Sequence, residues 1–103
     1  MTDKLSELTM FFPFWNEEKN IHEVVKRAIE IIPTVADTYE ILLIDDGSSD
    51  DTLKLANELA QKYPFIRVIA HRINRGYGAA LRSGFGLARR TAVFFGGVAA
   101  AAV

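Results

Sequence analysis

The chain predicts an α/β fold: a Rossmann-like, mostly parallel sheet with helices on both faces, in the order β-α-β-α-β-α-β. Three observations carry this prediction. Short apolar runs rich in branched and aromatic residues, at 8–14, 39–44, 65–70 and 92–95, read as buried strands. The segments between them carry apolar residues at helical spacing. The runs end in polar loops holding Asn, Asp, Gly or Pro, where a chain leaves a sheet. Strands that alternate with helices pair in parallel, because a parallel neighbour needs a long crossover.

The elements follow in order. Residues 8–14 (LTMFFPF) form the first strand, and Pro13, which lacks an N–H, belongs near its end. Asn16 suits a helix N-cap, and Glu17 and Glu18 then fall in the first turn, where the helix dipole favours acids. Ile21, Val24, Val25, Ala28, Ile29 and Ile32 make one apolar stripe, and Pro33 is expected to end that helix. Residues 39–44 form the second strand. Ser49 or Asp50 caps the next helix, whose inner face carries Leu53, Ala56, Leu59, Ala60 and Tyr63, and Pro64 closes it. Residues 65–70 form the third strand. A polar loop with Gly76 leads into a third helix holding Ala79, Ala80, Leu81, Gly84, Phe85 and Ala88, and residues 92–95 form a fourth strand. With 103 residues, no repeat and no linker, one domain over 1–103 is expected, with an atypical Gly/Ala-rich end at 92–103.

Chemistry is densest where the second strand ends, at Ile44-Asp45-Asp46-Gly47-Ser48. Two adjacent carboxylates repel each other and are costly unless something uses them. A ribose, the ring N–H groups of a base or a metal ion would each serve; a polar turn before a helix is the plainer reading. In a parallel sheet all strand C-termini share one edge, where ligands bind. That edge receives Pro13, Trp15, Asn16 and Glu17, then Asp45 to Ser48, then Asn74, Arg75 and Gly76. Glu17 and Asp46 suit a base or ribose. Gly76 and Gly78 permit a pyrophosphate to approach, with Arg75 and Arg82 as cationic partners. Arg82 and Arg89, seven apart, are expected on one helix face. Trp15 reads equally as a rim aromatic or a stacking platform, the phenylalanines at 11, 12, 94 and 95 as core, and His22 and His71 as lone surface or loop residues.

Charge is unevenly spread. Residues 1–58 hold all thirteen acids and five basic residues, whereas the remainder holds seven basic residues and no acid. The two halves can attract each other within one fold, and the basic half can receive phosphate. No nucleic-acid module is recognisable. There is no Cys, so no disulfide framework or thiolate chemistry. No signal peptide is visible, and residues 92–103, the longest apolar stretch, fall short of the roughly 20 needed to span a bilayer. A cytoplasmic location, free or peripheral to a membrane, is expected. A nicotinamide-dinucleotide fingerprint is strongly disfavoured: Gly76-Tyr77-Gly78 follows the wrong strand, and no acid comes after it.

Taken together, the segments resemble the N-terminal part of a family 2 glycosyltransferase of the GT-A fold. Phe12-Pro13-Phe14-Trp15-Asn16-Glu17-Glu18 is similar to the family's strand followed by P-x-Y-N-E, with Trp15 in place of the Tyr. Ile44 to Ser48 with Asp50 matches the D-D-G-S-x-D stretch. Asn74-Arg75-Gly76-Tyr77-Gly78-Ala79-Ala80-Leu81-Arg82-Ser83-Gly84 is closest to the polyprenyl-phosphate and dolichyl-phosphate sugar synthases. The resemblance implies that Pro13, Asn16 and Glu17 border a nucleotide, that Asp46 or Asp45 holds its base or ribose with Gly47 and Ser48 beside it, and that Asn74, Arg75, Gly76 and Arg82 lie toward the pyrophosphate. It implies a nucleoside-diphosphate sugar as donor, a lipid phosphate among the possible acceptors, inversion at the sugar, and Mg or Mn as cofactor.

The chain departs from that pattern after its fourth strand. The family's acidic metal motif follows there, but here Val93-Phe94-Phe95 runs into glycines and alanines, and no carboxylate follows Glu58. No metal ligand and no catalytic base is therefore assigned. The expectation is a truncated or frameshifted product, or a fragment, that does not transfer sugar alone and self-associates through an incomplete sheet; the alternative reading is a non-catalytic nucleotide-binding or interaction module.

Overall fold

The computed structural model describes residues 3–89 and 92–95. The element order is β1 (Leu5–Phe14), α1 (Ile21–Val35), β2 (Ala36–Asp46), α2 (Thr52–Lys62), β3 (Ile66–His71), α3 (Tyr77–Leu87) and β4 (Ala92–Phe95). The four strands form one sheet in the order β3-β2-β1-β4, and every neighbouring pair is parallel. The expected Rossmann-like α/β fold is the one observed. The chain first steps outward from β1 to β2 and β3, then returns to β1's other side as β4. That reversal leaves a crevice at the C-terminal edge beside β1.

Alternation along the strands sorts the core into two layers. Leu8, Met10, Phe12 and Phe14 of β1, with Ile41 and Leu43 of β2, face α1 and α2, and pack on Ile21, Val25, Ala28, Ile32, Ala56 and Leu59. Phe11, Leu42 and Ile44 face the other way and meet Ala80 of α3. Phe11 and Phe12 are thus core, as their type predicts; the side chains of Phe94 and Phe95 lie outside the described residues.

Several boundaries differ from expectation for local reasons. Asn16 is not the cap of α1: a turn intervenes, in which the N–H groups of Asn20 and Ile21 both bond to the Glu17 carbonyl, and the helix starts at Ile21. Pro33 does not stop α1 but sits inside its last turn, and the helix runs to Val35 and straight into β2. Its burial pattern explains this, since Ile32 and Ala36 on either side are both anchored in the core. On α2, Leu55 packs against the core in the place given to Leu53, and Thr52 is fully buried. Arg89 lies beyond the end of α3, so it shares no helical face with Arg82.

One polar node fastens the sheet to the end of α3. The buried Glu40 accepts hydrogen bonds from Thr9 Oγ1 (2.7 Å), Arg67 Nε (3.0 Å) and the Arg89 N–H (2.7 Å). Arg67 also donates to the Leu87 carbonyl at 2.7 Å, capping the helix. Burial raises the Glu40 pKa, but the Arg67, Thr9 and Arg89 hydrogen bonds and the Arg67 charge outweigh it, and the carboxyl stands below its ordinary value. Here the acidic first half of the chain does attract the basic second half.

Candidate functional site

Parity decides what each member of the Asp45-Asp46 pair does. Adjacent strand residues point to opposite faces. Asp46, on the α3 face, is 4% exposed, yet its carboxylate is almost fully engaged. Oδ1 accepts the Arg75 N–H at 2.9 Å and lies 2.7 Å from His71 Nδ1; Oδ2 accepts the Gly76 N–H at 2.9 Å. Burial again raises this pKa, and the His71, Arg75 and Gly76 hydrogen bonds with the His71 charge overcome it, so Asp46 titrates below the ordinary carboxylate value. The Asp46 side chain therefore builds the loop between β3 and α3. Asp45 points toward α1 and α2. Its Oδ2 accepts the Ser48 N–H at 3.2 Å, while Oδ1 is buried without a partner among the described residues.

Gly47 lets the same loop come close. Its φ of +71° suits glycine, and a Cβ there would stand 2.3 Å from the Asn74 nitrogen. Asp46 and Gly47 together press residues 73–76 against the end of β2.

The loops after β1 and β2 are laced in a similar way. Asn16, at φ +51°, accepts the N–H groups of Ser49 (2.8 Å) and Asp50 (3.3 Å) on Oδ1, and its own N–H donates to Ser48 Oγ at 2.9 Å. The Glu17 N–H donates to Thr52 Oγ1 at 2.8 Å. The Thr52 N–H, the first of α2, bonds to Asp50 Oδ1 at 2.9 Å, with Asp51 at the cap position itself.

These loops leave a cleft of about 360 Å³ at the C-terminal edge. One wall is Pro13, Phe14, Trp15 and Glu17; the other is Asn74, Gly76, Tyr77 and Ala80, with Asp46 between them. Its volume falls within the range of small-molecule sites. Trp15 is 53% exposed and forms the rim. Asn16 and Ser48 brace the loops rather than line the cleft, and Asp45, Gly47, Arg75 and Arg82 do not line it either. Arg75 and Arg82 are exposed, and the Arg82 Nη1 lies close enough to Gly78 that a Cβ there would touch it at 3.5 Å, at the start of α3. No cluster of three or more metal-ligating side chains occurs among the described residues. None of the helices of the described residues is long and apolar enough to cross a membrane.

The residue that the sequence misplaced is His71. It is the last residue of β3, buried, and hydrogen-bonded on both sides, to Asp46 and to Ser83 Oγ. Register pairs it with Asp46, and α3 covers it. The available signal was parity: if β3 pairs in parallel with β2, His71 shares a face with Arg67 and Ile69. His22 is exposed, as expected.

A parallel sheet whose order reverses beside a polar, glycine-bearing cleft is the arrangement in which open α/β proteins take up ligands. The chain belongs to glycosyl transferase family 2, whose model matches residues 9–95. It is similar to an undecaprenyl-phosphate 4-deoxy-4-formamido-L-arabinose transferase of Edwardsiella ictaluri, 39% identical over 80 residues, 76% of this chain and 24% of that protein. The transferase of the same name from Proteus mirabilis is 34% identical over 85 residues, 81% of this chain and 26% of that protein. Among solved structures, a mannosyltransferase of Pyrobaculum calidifontis in complex with GDP-Man and Mn²⁺ superposes with a TM-score of 0.73 at 25% identity, covering 84% of this chain and 25% of that one. TarS of S. aureus shares the fold, with a TM-score of 0.71 at 23% identity, over 87% of this chain and 26% of that one. The chain spans about a quarter of the length of these relatives.

Proposed function

We propose that this chain carries the donor-nucleotide half of a glycosyltransferase site, for a reaction that moves a sugar with inversion from a nucleoside diphosphate to an acceptor such as a polyprenyl phosphate. The observation that carries the reading is the cleft between Pro13–Glu17 and Asn74–Ala80 at the point where strand order reverses. The family supports it, as do the GDP-Man bound to the Pyrobaculum neighbour and the lipid phosphate in the names of the arabinose transferases.

In this reading the base lies against Pro13 and Trp15. Glu17 accepts a base N–H or a ribose hydroxyl. Asp46 has one acceptor position left, on Oδ2, so it offers a ligand at most one hydrogen bond while keeping its loop in place. The diphosphate lies toward the start of α3, where backbone N–H groups and the Asn74 amide offer hydrogen-bond donors and the guanidinium groups of Arg75 and Arg82 supply positive charge. Asp45, Gly47, Asn16 and Ser48 act on the nucleotide through the loops they shape.

Among the described residues no donor set fits a divalent ion such as the neighbour's Mn²⁺. Asp46 is spent on three hydrogen bonds, Asp45 faces the opposite side of the sheet, and the described residues hold no ligand cluster. The part of the reaction proposed for the described residues is binding of the donor.

Calorimetric titration with UDP, GDP and their sugar conjugates, with and without Mn²⁺, tests the reading. Saturable binding that weakens in Trp15→Ala and Glu17→Gln supports it, and the preferred base narrows the donor. Asp46→Ala is a poor probe, because it would release the loop. A folded chain that binds none of these nucleotides would overturn the proposal.

A further inference from the structure

The buried line Asp46–His71–Ser83 reaches beyond the function proposed above, which uses Asp46 alone of the three. It runs from the cleft through the sheet edge into α3, with contacts of 2.7 Å and 2.8 Å. The residue types are those of a hydrolytic triad, but the setting is not. Ser83 sits within α3, where N–H groups bond along the helix, leaving no free pair to form an oxyanion hole. Ser83 does not line the cleft.

The electrostatics suggest another role. An ionised carboxylate only accepts hydrogen bonds, so His71 Nδ1 carries the proton toward Asp46. The ring cannot turn, because Ser83 holds Nε2 from the helix side. With Oδ1 filled by His71 and the Arg75 N–H, and Oδ2 by the Gly76 N–H, the carboxylate plane is fixed. The remaining acceptor position on Oδ2 is thereby fixed too, on a residue that lines the cleft.

We infer that His71 is a positioning residue of the donor cleft: pinned by Ser83 of α3, it orients Asp46, and through it the Arg75–Gly76 backbone that forms the cleft wall. This inference rests on the nucleotide reading for its effect on affinity, but its effect on the loop stands without it.

The test compares His71→Asn with His71→Gln. Both keep a polar amide of similar burial. Asn presents an N–H near the position of Nδ1, toward Asp46, whereas Gln reaches the position of Nε2, toward Ser83. Two readouts are needed on the full chain: hydrogen exchange of the Arg75 and Gly76 amides, and affinity for UDP and GDP. The expected result is exchange at these two amides at least about tenfold faster in His71→Gln than in the wild type, with His71→Asn close to the wild type. Nucleotide affinity falls about tenfold in the same variant, at matched thermal stability. Equal exchange at Arg75 and Gly76 in all three proteins would overturn the inference, whether or not nucleotide binds. If the wild type binds no nucleotide while the exchange pattern holds, the nucleotide reading fails and the positioning of the loop survives.

Discussion

Gly47 and Asn74 are in backbone contact: a Cβ on Gly47 would lie 2.3 Å from the Asn74 nitrogen, at a φ of +71°. The glycine that a sequence reading gives to a ligand is here required by another loop. Gly47→Ala incurs both the left-handed backbone penalty and a clash with main chain that cannot swing away. The expected loss is about 2–4 kcal/mol in urea unfolding, with nucleotide affinity lowered as residues 73–76 are pushed out. A variant as stable as the wild type would contradict this contact.

Gly84 makes a similar demand where α3 packs on β1. A Cβ there would meet the Phe11 ring at 2.2 Å, and Phe11 is fully buried. Gly84→Ala should cost about 1–3 kcal/mol by lifting α3 off β1. Phe11→Leu alone is also destabilising, but in the double variant the smaller side chain admits the methyl. The two losses should therefore sum to more than the double variant shows, a coupling that a double-mutant cycle measures.

The acid response follows from Glu40 and Asp46. Both carboxyls stand below their ordinary values of 4.5 and 3.8, because hydrogen bonds outweigh burial. A group with a depressed folded pKa stabilises the fold above its unfolded value, and that stability is lost as pH falls through the folded one. Unfolding midpoints should therefore drop as pH is lowered from about 5 to about 3. Glu40→Gln should be less stable at neutral pH by about 2–3 kcal/mol, since Arg67 loses its charge partner, and its decline in acid should be shallower. Parallel pH curves for the two proteins would exclude Glu40 as a source of the acid sensitivity.

Trp15 provides a direct optical probe. It is the only tryptophan in the chain and stands at the rim of the cleft, 53% exposed. Nucleotide entering against Pro13 and Trp15 should quench or shift its emission with a saturating curve, and Trp15→Ala should weaken binding by about 1–3 kcal/mol. Calorimetric binding with no change in emission would place the nucleotide elsewhere.

The secondary structure was largely readable because it rests on local periodicity. The stripe Ile21, Val25, Ala28, Ile32 is buried as its spacing predicts, and residues 92–95 form the fourth strand. Errors arose where a local signal competes with packing. Asn16 has the chemistry of a cap, but the chain turns once more before α1, and the side chain serves Ser49 and Asp50, more than thirty residues away. Pro33 is a helix breaker in isolation, yet the anchored Ile32 and Ala36 carry the helix past it.

The sequence by itself determined the α/β class, the run of the elements and the three segments brought to one edge, because each depends on the period of neighbouring residues and on the rule that parallel strands share an end. Only the tertiary structure decided what those segments do there. Asp45 and Asp46 are identical neighbours, but strand parity turns one away from α3 and gives the other His71, Arg75 and Gly76. Such partners are set by the register between strands and by the helix laid across them. Register depends on how two faces pack over their whole length, and no short stretch of residues encodes it.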